Sequence, residues 1–151
     1  MKLSVFLIFT ILTTLAYSQP RVYREISFAD AFRHQNTNIS SDYCQLQHVK
    51  IRAKYTGDIQ KIIPERAKDL TRIHQECGYN SNINWHRGYT EIYITDKGQS
   101  YWVQLDKTID DDILYSMNKS DMCVFSGRLI TEHTTEKSTA YLIVEQIEKC
   151  E

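Results

Sequence analysis

The chain has no block of basic residues, no second long apolar stretch after its first, and no pair of cysteines at a C-x-x-C spacing. Each absence excludes something. The formal charge is −1, and a general nucleic-acid binder draws most of its affinity from neutralising phosphates, so general nucleic-acid binding is not expected. Without a second apolar stretch, no membrane span is expected once the first is removed. Structural zinc sites bring cysteines together at short spacing, so the four cysteines do not read as a metal cluster. Also missing are H-E-x-x-H, G-x-S-x-G, a phosphate-binding Gly loop and the dinucleotide Gly pattern. His34, His48, His74, His86 and His133 fall in no paired spacing. No catalytic residue, no metal ligand set and no cofactor is therefore assigned. No internal repeat, low-complexity segment or linker composition divides the chain.

The residues that are present begin with an export signal. In MKLSVFLIFTILTTLAYSQP, Lys2 precedes an apolar run to about Tyr17, and Ala16-Tyr17-Ser18 has the small-x-small pattern that signal peptidases accept. Residues 1–18 are read as a signal peptide cleaved after Ser18, and 19–151 as one domain of 133 residues. A spanning helix needs about 20 apolar residues, and Thr10, Thr13 and Thr14 dilute this run. The protein is expected to be secreted or periplasmic. Cys44, Cys77, Cys123 and Cys150 would then meet an oxidising compartment, where disulfides persist.

Two periodicities organise the remainder. In HVKIRAKYTG, Val49, Ile51, Ala53 and Tyr55 alternate with Lys50, Arg52 and Lys54, which predicts a half-buried strand. Gly57 suits a bend or bulge. Ser27 is a candidate N-cap for a short helix over 27–34, with Asp30 in its first turn. Pro64 suits the first turn of a helix over 64–76, in which Ala67, Leu70 and Ile73 recur at spacings of three. TEIYITDKGQSYWVQLD reads as a hairpin turning at Asp96-Lys97-Gly98-Gln99, with strands over 89–95 and 100–105. In TIDDDILYSMNKSD, Asp110 to Asp112 crowd a helix start, and Ile109, Ile113 and Met117 share a face. The acidic run lacks the alternating positions and central glycine of a calcium loop. Strands over 122–132 and 140–149 complete the chain.

YWVQLD (101–106), IDDDILYSMNKSDMCVFSGRLI (109–130) and AYLIVEQIE supply a third strand, a helix, a turn, a fourth strand and a closing strand. This order resembles the OB-fold superfamily, and no specific family within it. The resemblance implies a mainly β fold: an OB-like five-stranded barrel with a short helix between strands 3 and 4 and small N-terminal helical additions. Gly127 falls where a small residue lets such a barrel bend. Secreted nucleases built on this barrel need an arginine pair and several carboxylates around calcium, a set that cannot be placed here.

The last two strands suggest a staple. A turn centred near Thr135, Glu136 and Lys137 sets Cys123 opposite Cys150, close enough for a bridge. A slip of one residue would separate them. The pairing Cys123–Cys150 leaves Cys44–Cys77 as the second disulfide.

Two surface features are candidates for binding. Lys50, Arg52 and Lys54 form a basic stripe that would meet an acidic ligand, although strand alternation alone also predicts a solvated face. The aromatics Tyr79, Trp85, Tyr89, Tyr93, Tyr101, Trp102 and Tyr115 include Trp102, and either Trp102 or the Tyr101/Val103 pair faces outward. OB-folds stack bases or sugars on aromatics of strands 2 and 3. The expectation is an exported, non-enzymatic binding domain using Lys50, Arg52, Lys54 and Trp102, its partner an extracellular ligand, protein or glycan. The alternatives are a metal-dependent secreted hydrolase drawing on residues such as His86 and Asp112, and a subunit of an extracellular assembly. Asn38-Ile39-Ser40 and Asn118-Lys119-Ser120 are N-glycosylation sequons that matter in a eukaryotic host.

Overall fold

In the computed structural model, residues 21–33, 43–77, 89–109, 111–133 and 138–149 are described. The signal segment 1–18 lies outside them, as do Asn38, Trp85, His86, Asp110, the turn 134–137 and Cys150. In chain order the elements are β1 (Arg24–Glu25), α1 (Phe28–Arg33), β2 (Tyr43–Lys61), α2 (Pro64–Glu76), β3 (Thr90–Asp96), β4 (Gln99–Leu105), α3 (Asp111–Ser116), β5 (Met122–His133) and β6 (Ser138–Lys149).

The protein is mainly β, and its six strands form one sheet ordered β1-β2-β3-β4-β6-β5. An additional pairing of β2 with β5 closes five of them into a hydrogen-bonded ring. The length of β2 makes that closure possible. It pairs antiparallel with β5 from Tyr43 to Lys54, then with β3 from Lys54 to Lys61. β4 and β6 meet in parallel at two positions, Gln104 opposite Ile143 and Leu105 opposite Val144. The alternation in HVKIRAKY holds: Val49, Ile51, Ala53 and Tyr55 are buried inside the ring. With them lie Ile92, Ile94, Val103, Leu105, Phe125, Leu129, Leu142 and Val144.

Local chemistry explains the turns. Lys97 and Gly98 have φ of 49° and 80°, the paired positive values that a two-residue hairpin turn requires. Gly57, at φ 90°, lies where the β2–β3 register shifts between Tyr55 and Ile59. Ser27 caps α1: the Asp30 N–H donates to Ser27 Oγ at 3.1 Å. The Phe28 N–H donates to Asp96 Oδ2 at 2.8 Å, so the hairpin's last carboxylate also satisfies that helix end. Phe28 then enters the ring core and stacks on Tyr101, with centroids 4.3 Å apart.

α2 forms a second layer outside the ring. Ala67, Leu70 and Ile73 pack on Tyr89, Ile130 and Ile143. Ile130 and Ile143 point away from the ring core, so β5 and β6 are buried on both faces there. Such strands read as unbroken apolar runs, here Leu129-Ile130 and Leu142-Ile143-Val144. Arg72 holds Glu132 of β5 through two hydrogen bonds, at 2.6 and 2.9 Å. The disulfide Cys44–Cys77 ties the start of β2 to the end of α2.

Two expectations change. Met117, just past the end of α3, is buried as expected, but within the helix it is Leu114 that is buried while Ile113 is 37% exposed, because the helix turns its Leu114 side to the ring. The β5–β6 register also differs. It runs from His133 opposite Ser138 and slips by one residue between Ser126 and Gly127, so Cys123 stands opposite Lys149. The pairing of His133 with Ser138 centres the hairpin one residue earlier than expected, which alone would set Cys123 opposite Glu148; the bulge then moves the partner by one, to Lys149. Cys123 is buried in the core with its sulfur 3.6 Å from Met117 Sδ. The expected Cys123–Cys150 bond involves a residue outside the described ones.

The bulge has a steric origin. A Cβ on Gly127 would lie 2.0 Å from the Ile143 carbonyl oxygen, far inside contact distance, and backbone offers no rotamer to yield. Gly127→Ala is therefore expected to cost about 3 kcal/mol or more, read as a lower urea midpoint. The Cys44→Ser/Cys77→Ser double variant opens a crosslink across a sequence separation of 33. It is expected to lose about 3–4 kcal/mol on the chain-entropy account, measured the same way.

Candidate functional site

The outer surface of β2, β3 and β4 is built by strand alternation. Ile92 and Ile94 point into the ring, so Glu91, Tyr93 and Thr95 point out. On β4, Val103 and Tyr101 belong to the core side, which settles the orientation of the aromatic pair: Trp102 faces outward. Trp102 is the cross-strand partner of Tyr93. Their rings lie 4.8 Å apart at 33°, and both residues are half-buried. Such pairs add about 0.5–1.5 kcal/mol beyond the area they bury.

Polar rows flank this pair. On one side Lys54 stands opposite Thr95 and Thr95 opposite Ser100, the two hydroxyls 2.9 Å apart. On the other side Gln60, Glu91 and Gln104 form a row across three strands. Glu91 is 0% exposed, accepts from Gln60 Nε2 at 2.6 Å and is ion-paired with Arg66 of α2. Gln104 is 1% exposed, and neither end of its amide has a hydrogen-bond partner.

The basic stripe divides. Lys54 is the cation nearest the aromatic pair, diagonal to Tyr93. Arg52 follows where β2 is flanked by β5, opposite Val124. Both are exposed, and neither forms an ion pair among the described residues. Lys50 is drawn away: its ammonium is 3.7 Å from Glu148 and 6.0 Å from the centre of the Tyr23 ring. The structure thus brings Lys54 and Trp102 onto one open face, with Arg52 at its margin and Lys50 engaged elsewhere. Gln60, Glu91 and Gln104 were missed from the sequence, and Tyr93 was named only as one aromatic among seven, although the alternation in TEIYITD placed Tyr93 and Glu91 on one face.

Beyond β5 and β6 the outer surface carries an ionic chain. Asp106 pairs with Arg128 at 3.0 Å. Arg128 Nε lies 2.8 Å from Glu145, too poorly aligned for a hydrogen bond, so that contact is Coulombic. Glu145 in turn accepts from Arg21 at 3.0 Å and from the Tyr23 hydroxyl at 3.2 Å. These contacts fasten the segment before β1 to the sheet. A cleft of about 610 Å³ opens at the β4–α3 connection, its walls including Thr90, Leu105, Asp106, Lys107, Ile109 and Leu114. Its Asp106 carboxylate is already occupied by Arg128 and by the Thr108 N–H at 3.1 Å.

Metal chemistry finds no frame among the described residues, where no three His, Cys, Asp or Glu side chains are grouped to hold an ion. Asp111 and Asp112 are exposed in the first turn of α3, where the helix dipole favours them. No described helix is long and apolar enough to cross a membrane. No protein-family model matches the chain, and no curated protein is found similar to it.

His74 is structural. It is 2% exposed on the buried side of α2, with Nδ1 2.8 Å from the Leu70 carbonyl oxygen. Desolvation pushes its pKa below the usual histidine value of 6.5, the Leu70 contact opposes that, and the positive charge of Arg128 adds to it. The folded state therefore resists a proton that the unfolded chain accepts. The contribution of neutral His74 is complete above about pH 6.5 and is lost as pH falls through the lower folded value. Thermal melts between pH 7 and pH 5 are expected to show falling stability, and His74→Leu is expected to flatten that decline.

Proposed function

We propose that the protein is an exported, non-enzymatic binding domain of OB type, which captures an extracellular ligand on the outer face of β2–β4. Several observations support the barrel reading. The ring runs β2-β3-β4-β6-β5 and back to β2, β4 and β6 are parallel, and α3 lies between β4 and β5. With β2 as the first strand, this is the Greek-key order of a five-stranded OB barrel. β1, α1 and α2 are additions to it. The likeness is one of fold, and fold alone names no activity.

The Cys44–Cys77 bond supports export, since disulfides persist in oxidising compartments. The observation that carries the binding reading is the Tyr93–Trp102 pair. It is a large aromatic surface held outside the core, beside a cation, Lys54, that has no ion-pair partner among the described residues. Aromatic platforms on the second and third strands are where OB barrels receive their ligands. An extracellular glycan or protein fits the modest charge of the chain better than nucleic acid does.

The test is an array of glycans, oligonucleotides and extracellular proteins, probed with the secreted protein. At least one ligand is expected whose binding falls roughly tenfold on Trp102→Ala, the lower part of the range for a lost stacking platform. Binding that is indifferent to Trp102→Ala and to Arg52→Glu/Lys54→Glu would remove this face from consideration.

A further inference from the structure

The chemistry of the outer face goes further than "a ligand", and names a class. Three rows cross β2–β4 side by side. The first is Lys54, Thr95 and Ser100, the second Tyr93 and Trp102, the third Gln60, Glu91 and Gln104. An aromatic platform is thus bordered on one side by hydroxyls and on the other by the half-buried Gln60 amide, with Glu91 and Gln104 buried beyond it. A pyranose ring has complementary needs. One of its faces presents C–H groups that stack on a flat apolar surface, and its rim presents hydroxyls that both donate and accept.

The cations add a sign. Arg52 and Lys54 are exposed and form no ion pair among the described residues, whereas the other basic side chain of the stripe is held near Glu148.

We propose that the outer face of β2–β4 is a subsite for an acidic saccharide, a sulfated or uronate residue of an extracellular polysaccharide. The sugar stacks on Tyr93 and Trp102, its hydroxyls meet Thr95, Ser100 and Gln60 at the borders of the platform, and its acidic group lies toward Lys54 and Arg52. The proposal rests on the reading of this face as a binding surface. Single-stranded nucleic acid also stacks on aromatics, but its affinity depends on neutralising many phosphates. This face offers only two cations without an ion pair among the described residues.

The experiment is isothermal titration of the secreted protein with heparin, with desulfated heparin and with a single-stranded oligonucleotide of matched length. Heparin is expected to bind, and desulfation to weaken it at least tenfold. Trp102→Leu, which keeps apolar volume but removes the stacking face, should weaken heparin binding roughly tenfold. Arg52→Glu/Lys54→Glu should do the same. Lys68→Glu, on the exposed side of α2, should stay within twofold of the parent, which separates a site from general polyanion attraction. Gln104→Met removes an unsatisfied buried amide at similar volume, so it should melt no lower than the parent and bind heparin within twofold of it. All variants are melted first, and Tyr93→Leu replaces Trp102→Leu if the latter is unfolded.

Tighter binding of the oligonucleotide, equal losses from Lys68→Glu and Arg52→Glu/Lys54→Glu, or heparin binding untouched by the aromatic variants would overturn the proposal. So would the absence of any saccharide binding. If some other ligand still depends on Trp102, only the saccharide assignment falls. If no ligand does, the binding face falls with it.

Discussion

The architecture depends on a long strand and the glycine opposite it. β2 is long enough to serve β5 with its first part and β3 with its second, and that double pairing turns an open sheet into a ring. Closure protects backbone donors and acceptors that an open edge would expose, and it encloses one apolar interior. It also demands that β5 approach β6 very closely. Gly127 permits the approach, since any side chain there would strike the Ile143 carbonyl. The accompanying bulge sets which residues of the last two strands face inward on either side of it.

The second constraint is the placement of α2. The helix covers β5 and β6 because those strands carry apolar residues on both faces. The Arg72–Glu132 bonds, the Arg66–Glu91 pair and the Cys44–Cys77 bond hold it from several directions. Surface ion pairs contribute little when both partners are in water. Glu91 and Glu132 are buried, so their arginines prevent the larger penalty of an unpaired charge. With one flank of the ring covered, the aromatic pair on β3 and β4 sits at the margin of the open one. The proposed site is therefore positioned as much by what α2 leaves uncovered as by the residues it contains.

Much of this was legible locally. The alternation from Val49 to Tyr55, the Pro64 helix start, the Ser27 cap and the Lys97-Gly98 turn each follow from chemistry within a few residues, and each appears where it was expected. Cys44–Cys77 was legible only by elimination, yet it is the bond the structure contains. The two misplaced features, the face that α3 buries and the β5–β6 register, share a physical cause with one that was not read at all, the outward burial of Ile130 and Ile143: all are set by neighbours distant in sequence. The apolar runs Leu129-Ile130 and Leu142-Ile143-Val144 carried a signal for burial on two sides. Within the candidate site, Lys54, Arg52 and Trp102 were identifiable by type, but nothing local distinguishes Lys50, whose ammonium is drawn to Glu148 only because β2, β5 and β6 are neighbours.

By itself the sequence determined most of the elements, because periodicity, caps and turn residues act over a few positions and do not need the rest of the molecule; β1 and the two ends of the long β2 were not read from it. It determined the cysteine inventory and the mainly β class as well. Only the tertiary structure decided which faces are covered and which strands close the ring. Only there does Trp102 turn outward against Tyr93 while Tyr101 stacks on Phe28 inside. The reason is that burial is a property of the assembled layers. A residue's own chemistry states what it prefers to touch, and the long-range pairing of β2 with both β3 and β5 decides what it meets.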